Sequence, residues 1–282
     1  MTNHQHNSEA VLHKQIYPLC HKADALRVQG EYAAAEPLYR RALALTESLC
    51  EHEHPFLAVI CNSLGVLYKY TGKFAEAAPL YQRALGMLEA TCGAAHPDVA
   101  TIYHNLGGLE HARGRFSAGE PFARRAVEIR EHALGPDHVD TAADLAALAA
   151  LLDGQQKYDE SEPLYRRALE IFTRAYGAEH YEIAVNLNNL AALKQAQGKL
   201  TEAEALYRRA LAIKEKLLGA QHPDTAMTLN NLAVLLKKMA QYEEAAQLYQ
   251  QALAIFKQAL APDHPKVIAC QSNLARLQQT CG

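Results

Sequence analysis

Apolar residues in this chain recur three and four positions apart, in runs broken by Gly, Pro and His. That spacing puts them on one face of an α-helix. The runs themselves repeat. The phrase GEYAAAEPLYRRALAL at 30–45 returns as GKFAEAAPLYQRALGM at 72–87 and GRFSAGEPFARRAVEI at 114–129. It returns again as QKYDESEPLYRRALEI at 156–171, GKLTEAEALYRRALAI at 198–213 and AQYEEAAQLYQQALAI at 240–255. The period is 42 residues, without insertion or deletion, and a fixed period of this size marks stacked supersecondary units.

Each unit reads as two helices. In the first, Leu64, Leu106, Leu148, Leu190, Leu232 and Leu274 share one site, and Leu67, Leu109, Leu151, Leu193, Leu235 and Leu277 share another. Between them lies a small residue: Gly65, Gly107, Ala149, Ala191, Ala233 or Ala275. In the second helix Ala42, Ala84, Ala126, Ala168, Ala210 and Ala252 never vary. Small residues let two helix axes approach while leucines fill the space beside them. Ser117, Asp159 and Thr201 precede Glu120, Glu162 and Glu204 by three residues, the spacing of a capping box that starts the second helix. Pro37, Pro79, Pro121 and Pro163 then fall in its first turn. Gly93, Gly135, Gly177 and Gly219 are placed as left-handed caps at its end. Pro55, Pro97, Pro223 and Pro265 suit the first turn of the next helix. Glu36/Arg40, Glu120/Arg124, Glu162/Arg166 and Glu204/Arg208 are i,i+4 pairs on an exposed face, so the repeated YRRAL phrase reads as solvated surface.

The small/large pattern, Gly-x-Phe/Tyr and Ala-x3-Tyr-x2-Ala resemble the tetratricopeptide repeat. The 42-residue form, with LNNLAxL, GKxxEAExLYxRAL and LGxxHPD, is similar to the repeat domain of kinesin light chains and related bacterial proteins, over residues 16–279. The resemblance implies an all-α, right-handed superhelical solenoid of antiparallel helix pairs that binds extended peptides in its concave groove. The expected layout is a flexible tail at 1–12, one solenoid over 13–279 with a C-terminal capping helix, and a short tail at 280–282. No long heptad segment precedes the repeats, so a motor subunit is not expected.

Composition narrows the function. Net charge is −3, which gives no field for nucleic acid or an anionic membrane. No apolar run spans a bilayer and the polar N-terminus has no signal-like apolar stretch. Six cysteines without CxxC spacing read as thiols of a reducing, cytoplasmic compartment. One histidine recurs per repeat: His54, His96, His138, His180, His222 and His264. At a 42-residue spacing these cannot share one metal ion, and each is expected to fix its interhelix turn. His4 and His6 lie in the tail. No phosphate loop, dinucleotide fingerprint or HExxH occurs, so neither catalysis nor a cofactor is expected.

The resemblance places the ligand on a stripe of the first helices, roughly 100° round from the core sites. Its first row is Asn62, His104, Ala146, Asn188, Asn230 and Ser272; its middle row includes Val66, Ala150 and Arg276. The last row holds Lys69, His111, Asp153, Gln195 and Lys237, with Lys238 beside it. This is an apolar floor between polar rails. Amides on a rail can satisfy a peptide backbone of any sequence. Asn105, Asn189, Asn231 and Asn273 belong to the repeat consensus and are expected to be structural. The fourth repeat replaces the rail with Ala146, Ala147, Ala149 and Ala150, a smooth patch that suits either a bulky side chain or no ligand. The expected function is a monomeric adaptor for a protein or peptide partner. A self-assembling scaffold and a peptide-sensing regulator remain the alternatives.

Overall fold

The computed structural model describes residues 12–49 and 55–281. His4, His6, Cys50 and His54, and most of the proposed N-terminal tail, lie outside them. A π turn, Leu12–Ile16, leads into α1 (Tyr17–Val28) and α2 (Tyr32–Leu49). Then come α3 (Pro55–Tyr70), α4 (Phe74–Cys92), α5 (Pro97–Ala112), α6 (Phe116–Leu134), α7 (Val139–Gly154) and α8 (Tyr158–Tyr176). The series closes with α9 (Tyr181–Ala196), α10 (Leu200–Leu218), α11 (Pro223–Lys238), α12 (Tyr242–Ala259) and α13 (Pro265–Cys281). No strand occurs among the described residues. Helices pack in consecutive pairs, and each odd-numbered helix also meets the next odd-numbered one. The odd helices therefore form the inner, concave layer.

The repeated sites are the core. Ala42, Ala84, Ala126, Ala168, Ala210 and Ala252 have no solvent exposure, and the leucine sites from Leu64 to Leu235 are buried. Leu274 and Ala275 are more open, since no described helix packs over that side of α13. At the two-helix contact Tyr81 packs so tightly on Gly65 that a Cβ there would lie 2.8 Å from the ring.

Two details of the helix ends differ from the sequence reading. The second helices begin at Phe116, Tyr158 and Leu200, before the supposed cap residues, and their N-caps make no side-chain cap bond. Pro121 and Pro163 thus fall in the second turn. The glutamates of the supposed boxes have another role. Glu120 accepts from Gln155 and Lys157, and Glu162 from Lys194 and Gln197, all of the next repeat. They are inter-repeat clamps as well as i,i+4 partners of Arg124 and Arg166. Gly93, Gly135 and Gly219 do have positive φ, but with ψ of 154–160° rather than the left-handed helical value. The chain leaves the helix extended, in a region open essentially to glycine alone.

The loop histidines cap the first helices. Nδ1 of His96, His138, His180, His222 and His264 accepts the N–H two residues on, at 3.0–3.3 Å. This fixes the neutral tautomer with hydrogen on Nε2. In His222 and His264 that hydrogen closes the superhelix on itself. His222 Nε2 donates to the carbonyl of Val28, and His264 Nε2 to that of Tyr70, each at 2.9 Å. Val28 and Tyr70 end α1 and α3, where helical carbonyls lack partners of their own. Pro223 and Pro265 rest on Gly30 and Gly72, which have positive φ; a Cβ on Gly30 would lie 2.8 Å from the proline ring. Tyr32 stacks on Tyr70 between the two contacts, with ring centroids 5.8 Å apart. The last repeats are thus latched to the first.

Candidate ligand groove

The inner stripe takes shape from the first-helix sites. Asn62 is half-buried, and its Oδ1 accepts from Asn105 of the next repeat at 2.8 Å. Asn188 is 7% exposed and its Oδ1 accepts from Asn231 at 3.4 Å. Of the consensus asparagines, Asn105 and Asn231 take the structural part expected of them, and their partners are the rail itself. Sequence reasoning missed this ladder, although the rail and consensus residues are 43 apart in both pairs. Asn230 differs: its Oδ1 is buried without a hydrogen-bond partner, as is Oε1 of Gln195. His104 is held by Asp144, Nδ1 to Oδ1 at 2.8 Å. Asp144 is 1% exposed and also receives Arg130 Nε at 2.9 Å, while Arg130 reaches Asp140 and Thr101.

The last row shows how enclosed the groove is. Removal from water, joined by the Lys266 ammonium, pushes the Lys69 ammonium down to about 8. It pushes the Asp153 carboxyl up to about 6 and lowers His111. All three side chains keep some solvent contact while protein rings them. Lys69 Nζ reaches over Gly108, where a Cβ would meet it at 3.3 Å. Val66, Ala146 and Ala150 are half-buried between the rails, Lys237 is half-buried, and Lys238, Ser272 and Arg276 are exposed. The structure therefore gathers Asn62 through Lys237 along the inner layer and leaves the α13 residues at its open end.

Among the described residues no group of three His, Cys, Asp or Glu side chains could hold a metal ion. Cys20, Cys92 and Cys270 are thiols, and burial raises Cys20 and Cys270 to about 11, where they are unreactive. No described helix is long and apolar enough to cross a membrane.

The tetratricopeptide repeat model matches residues 16–90, 98–174, 153–216, 182–258 and 224–280. The chain belongs to the tetratricopeptide repeat family. Such repeats are in general scaffolds for protein–protein interaction. No curated protein matches the sequence. Among solved structures, a putative kinesin light chain with nearly identical TPR-like repeats from Podosopora anserina is 25% identical, with a TM-score of 0.52 over 73% of this chain and 98% of that one. BtubC (BKLC) from P. vanneervenii is 24% identical, with a TM-score of 0.53 over 90% of this chain and 91% of that one. The apo form of RapI is 13% identical, with a TM-score of 0.59 over 95% and 98%. The last two likenesses concern the fold alone. The light-chain likeness agrees with the 42-residue form of the repeat.

Proposed function

We propose that this tetratricopeptide repeat protein is a non-enzymatic adaptor whose inner face holds an extended segment of a partner protein. One observation carries the reading. Gln195 Oε1 and Asn230 Oδ1, on neighbouring inner helices and both in the stripe, are buried acceptors without donors. Such atoms are rare and costly, and either half-buried amide, turned toward the groove, can accept from the N–H groups of an extended backbone. Asn188 is a poorer test residue, because its oxygen already serves the ladder. In this reading the adaptor is cytoplasmic and monomeric, and with net charge −3 it takes neither nucleic acid nor membrane.

A photoreactive residue at Lys237, on the inner face, should cross-link the partner, while one at Arg166, on the outer face, should not. Each neutral hydrogen bond contributes about 0.5–1.5 kcal/mol. The pair Gln195→Ala with Asn230→Ala should therefore weaken the cross-linked partner's binding about 5- to 150-fold. Cross-linking from position 166 alone, with full affinity in the alanine pair, would place the binding surface on the convex side.

A further inference from the structure

The latched seam carries a charge arrangement that neither the repeat nor the groove explains. The second residue of each described inner helix from α5 to α11 is acidic: Asp98, Asp140, Glu182 and Asp224. Acids there complement the positive end of the helix dipole. In α13 the same position is Lys266. A lysine at a helix N-terminus is unfavourable, and it breaks the local rule at the one loop that closes on Tyr70. Tyr70 is itself a departure, since the equivalent sites hold Ala112, Gly154, Ala196 and Lys238.

Folding brings a second lysine to the same ring. Lys69 Nζ lies 5.6 Å and Lys266 Nζ 6.0 Å from the Tyr70 ring centroid. The two are 197 residues apart in the chain and approach one ring only because the superhelix closes. Both are half-buried, and among the described residues neither has a carboxylate within 4.0 Å. The neighbouring charges do not cancel them. Arg27 is bonded to Asp24, and the buried Lys214 donates to the main-chain oxygen of Asp224. The Asp224 carboxylate takes the Tyr181 hydroxyl at 2.6 Å. Lys69, Lys214 and Lys266 therefore share Asp224 as the carboxylate that acts on all three, next to the positive end of α13, with Glu182 acting on the Tyr70 ring between them.

We propose that Lys69 and Lys266 form an oxyanion-binding site that bridges the two ends of the superhelical turn. The ligand is a group with two or more oxygens sharing negative charge, able to accept from both ammoniums at once. It comes either as a free phosphate-like ion or as an acidic side chain of a bound polypeptide. Such an ion removes the like-charge repulsion across the seam and tightens the latches beside it. Burial, and with it that repulsion, depresses the Lys69 ammonium.

The test is titration calorimetry at constant ionic strength with inorganic phosphate, hexaglutamate and hexaglutamine. Phosphate should bind saturably to the wild-type chain. At pH 8–9 it should bind with proton uptake, because an anion favours charged Lys69. Lys69→Met and Lys266→Met should each weaken binding at least tenfold, Lys69→Arg and Lys266→Arg should retain it, and Lys257→Met, at an exposed site on the outer helix α12, should leave it unchanged. Circular dichroism checks folding, and the arginine variants carry the test if a methionine variant unfolds: proton uptake at pH 8–9 should then fall in Lys69→Arg, since burial lowers Lys266 as well as Lys69. Weaker phosphate binding in His264→Ala would tie the site to closure. Binding of hexaglutamate alone, lost in the methionine variants, assigns the anion to a polypeptide. Binding unaffected by the lysine substitutions, or no anion binding at all, overturns the site. The groove reading would survive that result, since it is read at Gln195, Asn230 and Lys237.

Discussion

Replacing His264 with Ala separates the latch from the helix cap, because the repeat supplies its own control. His96 and His264 cap equivalent helices through equivalent Nδ1 bonds of 3.2 and 3.0 Å. Only His264 also donates across the turn, to Tyr70 at 2.9 Å, and it is 5% exposed, whereas the His96 side chain is 42% exposed. Loss of the cap should cost about 1 kcal/mol in either variant. Loss of the cross-turn bond adds about 0.5–1.5 kcal/mol. Urea unfolding should therefore rank His264→Ala below His96→Ala by that difference, and small-angle scattering should show a larger radius of gyration only for His264→Ala. The gap should close in acid. Burial, joined by Lys266 and opposed by the Tyr70 carbonyl and Asp263, lowers the proton affinity of native His264. Below pH about 6.5 the unfolded chain binds a proton that the native chain refuses, so stability falls as pH falls. The contribution is exhausted once native His264 protonates. Equal destabilisation by the two alanines, with no change in dimensions, would refute the latch.

Asp153→Asn should stabilise the protein at pH 7, by at most about 3 kcal/mol, since burial holds the native carboxyl near 6 and above its unfolded value. The native penalty exists only above that range, so thermal melts of the two proteins should converge below pH 4. Asp144→Ala should cost about 3–5 kcal/mol in urea melts, because it leaves the buried Arg130 guanidinium with the half-exposed Asp140 as its carboxylate. Ala168→Leu should cost about 1–3 kcal/mol by overpacking a site with no exposure. Arg166→Ala, at a side chain 58% exposed, should cost less than about 1 kcal/mol, and the reverse ranking would invalidate the assignment of buried and exposed faces.

The repeat, the helix pairs and the core could be read from the chain because each depends on neighbours within about one period. Ala168 and Leu190 are buried for the same local reason as their equivalents. The glutamate at the supposed capping box was misread because two partners compete for it. The spacing from Ser117 to Glu120 fits a cap, yet the carboxylate gains more from Lys157 and Gln155 of the following repeat. The helix begins instead at an aromatic or leucine that covers the turn. Likewise, the Asn62 and Asn188 oxygens are bound by residues one repeat away, a pairing that the 43-residue spacing could have suggested.

Closure has a different origin. The bonded residues of each latch are 194 apart, and no local pattern fixes that distance. It is set by small rotations between successive helix pairs, summed over the turn. What the sequence does carry is the record of departures from its own repeat. Tyr70 stands where the following repeats hold Ala, Gly or Lys, and Lys266 stands where α5 to α11 carry an acid, while the repeat's own Gly30 and Gly72 leave room for Pro223 and Pro265. In a solenoid the consensus describes what every unit needs to stack on its neighbour. Residues that depart from it at a cost, as a lysine at a helix N-terminus does, need a partner that the consensus does not supply. Here the fold brings two such residues, Tyr70 and Lys266, into contact at the seam. The exceptions in a repeat, more than its invariant positions, therefore locate where the whole superhelix, and not the single unit, is under constraint.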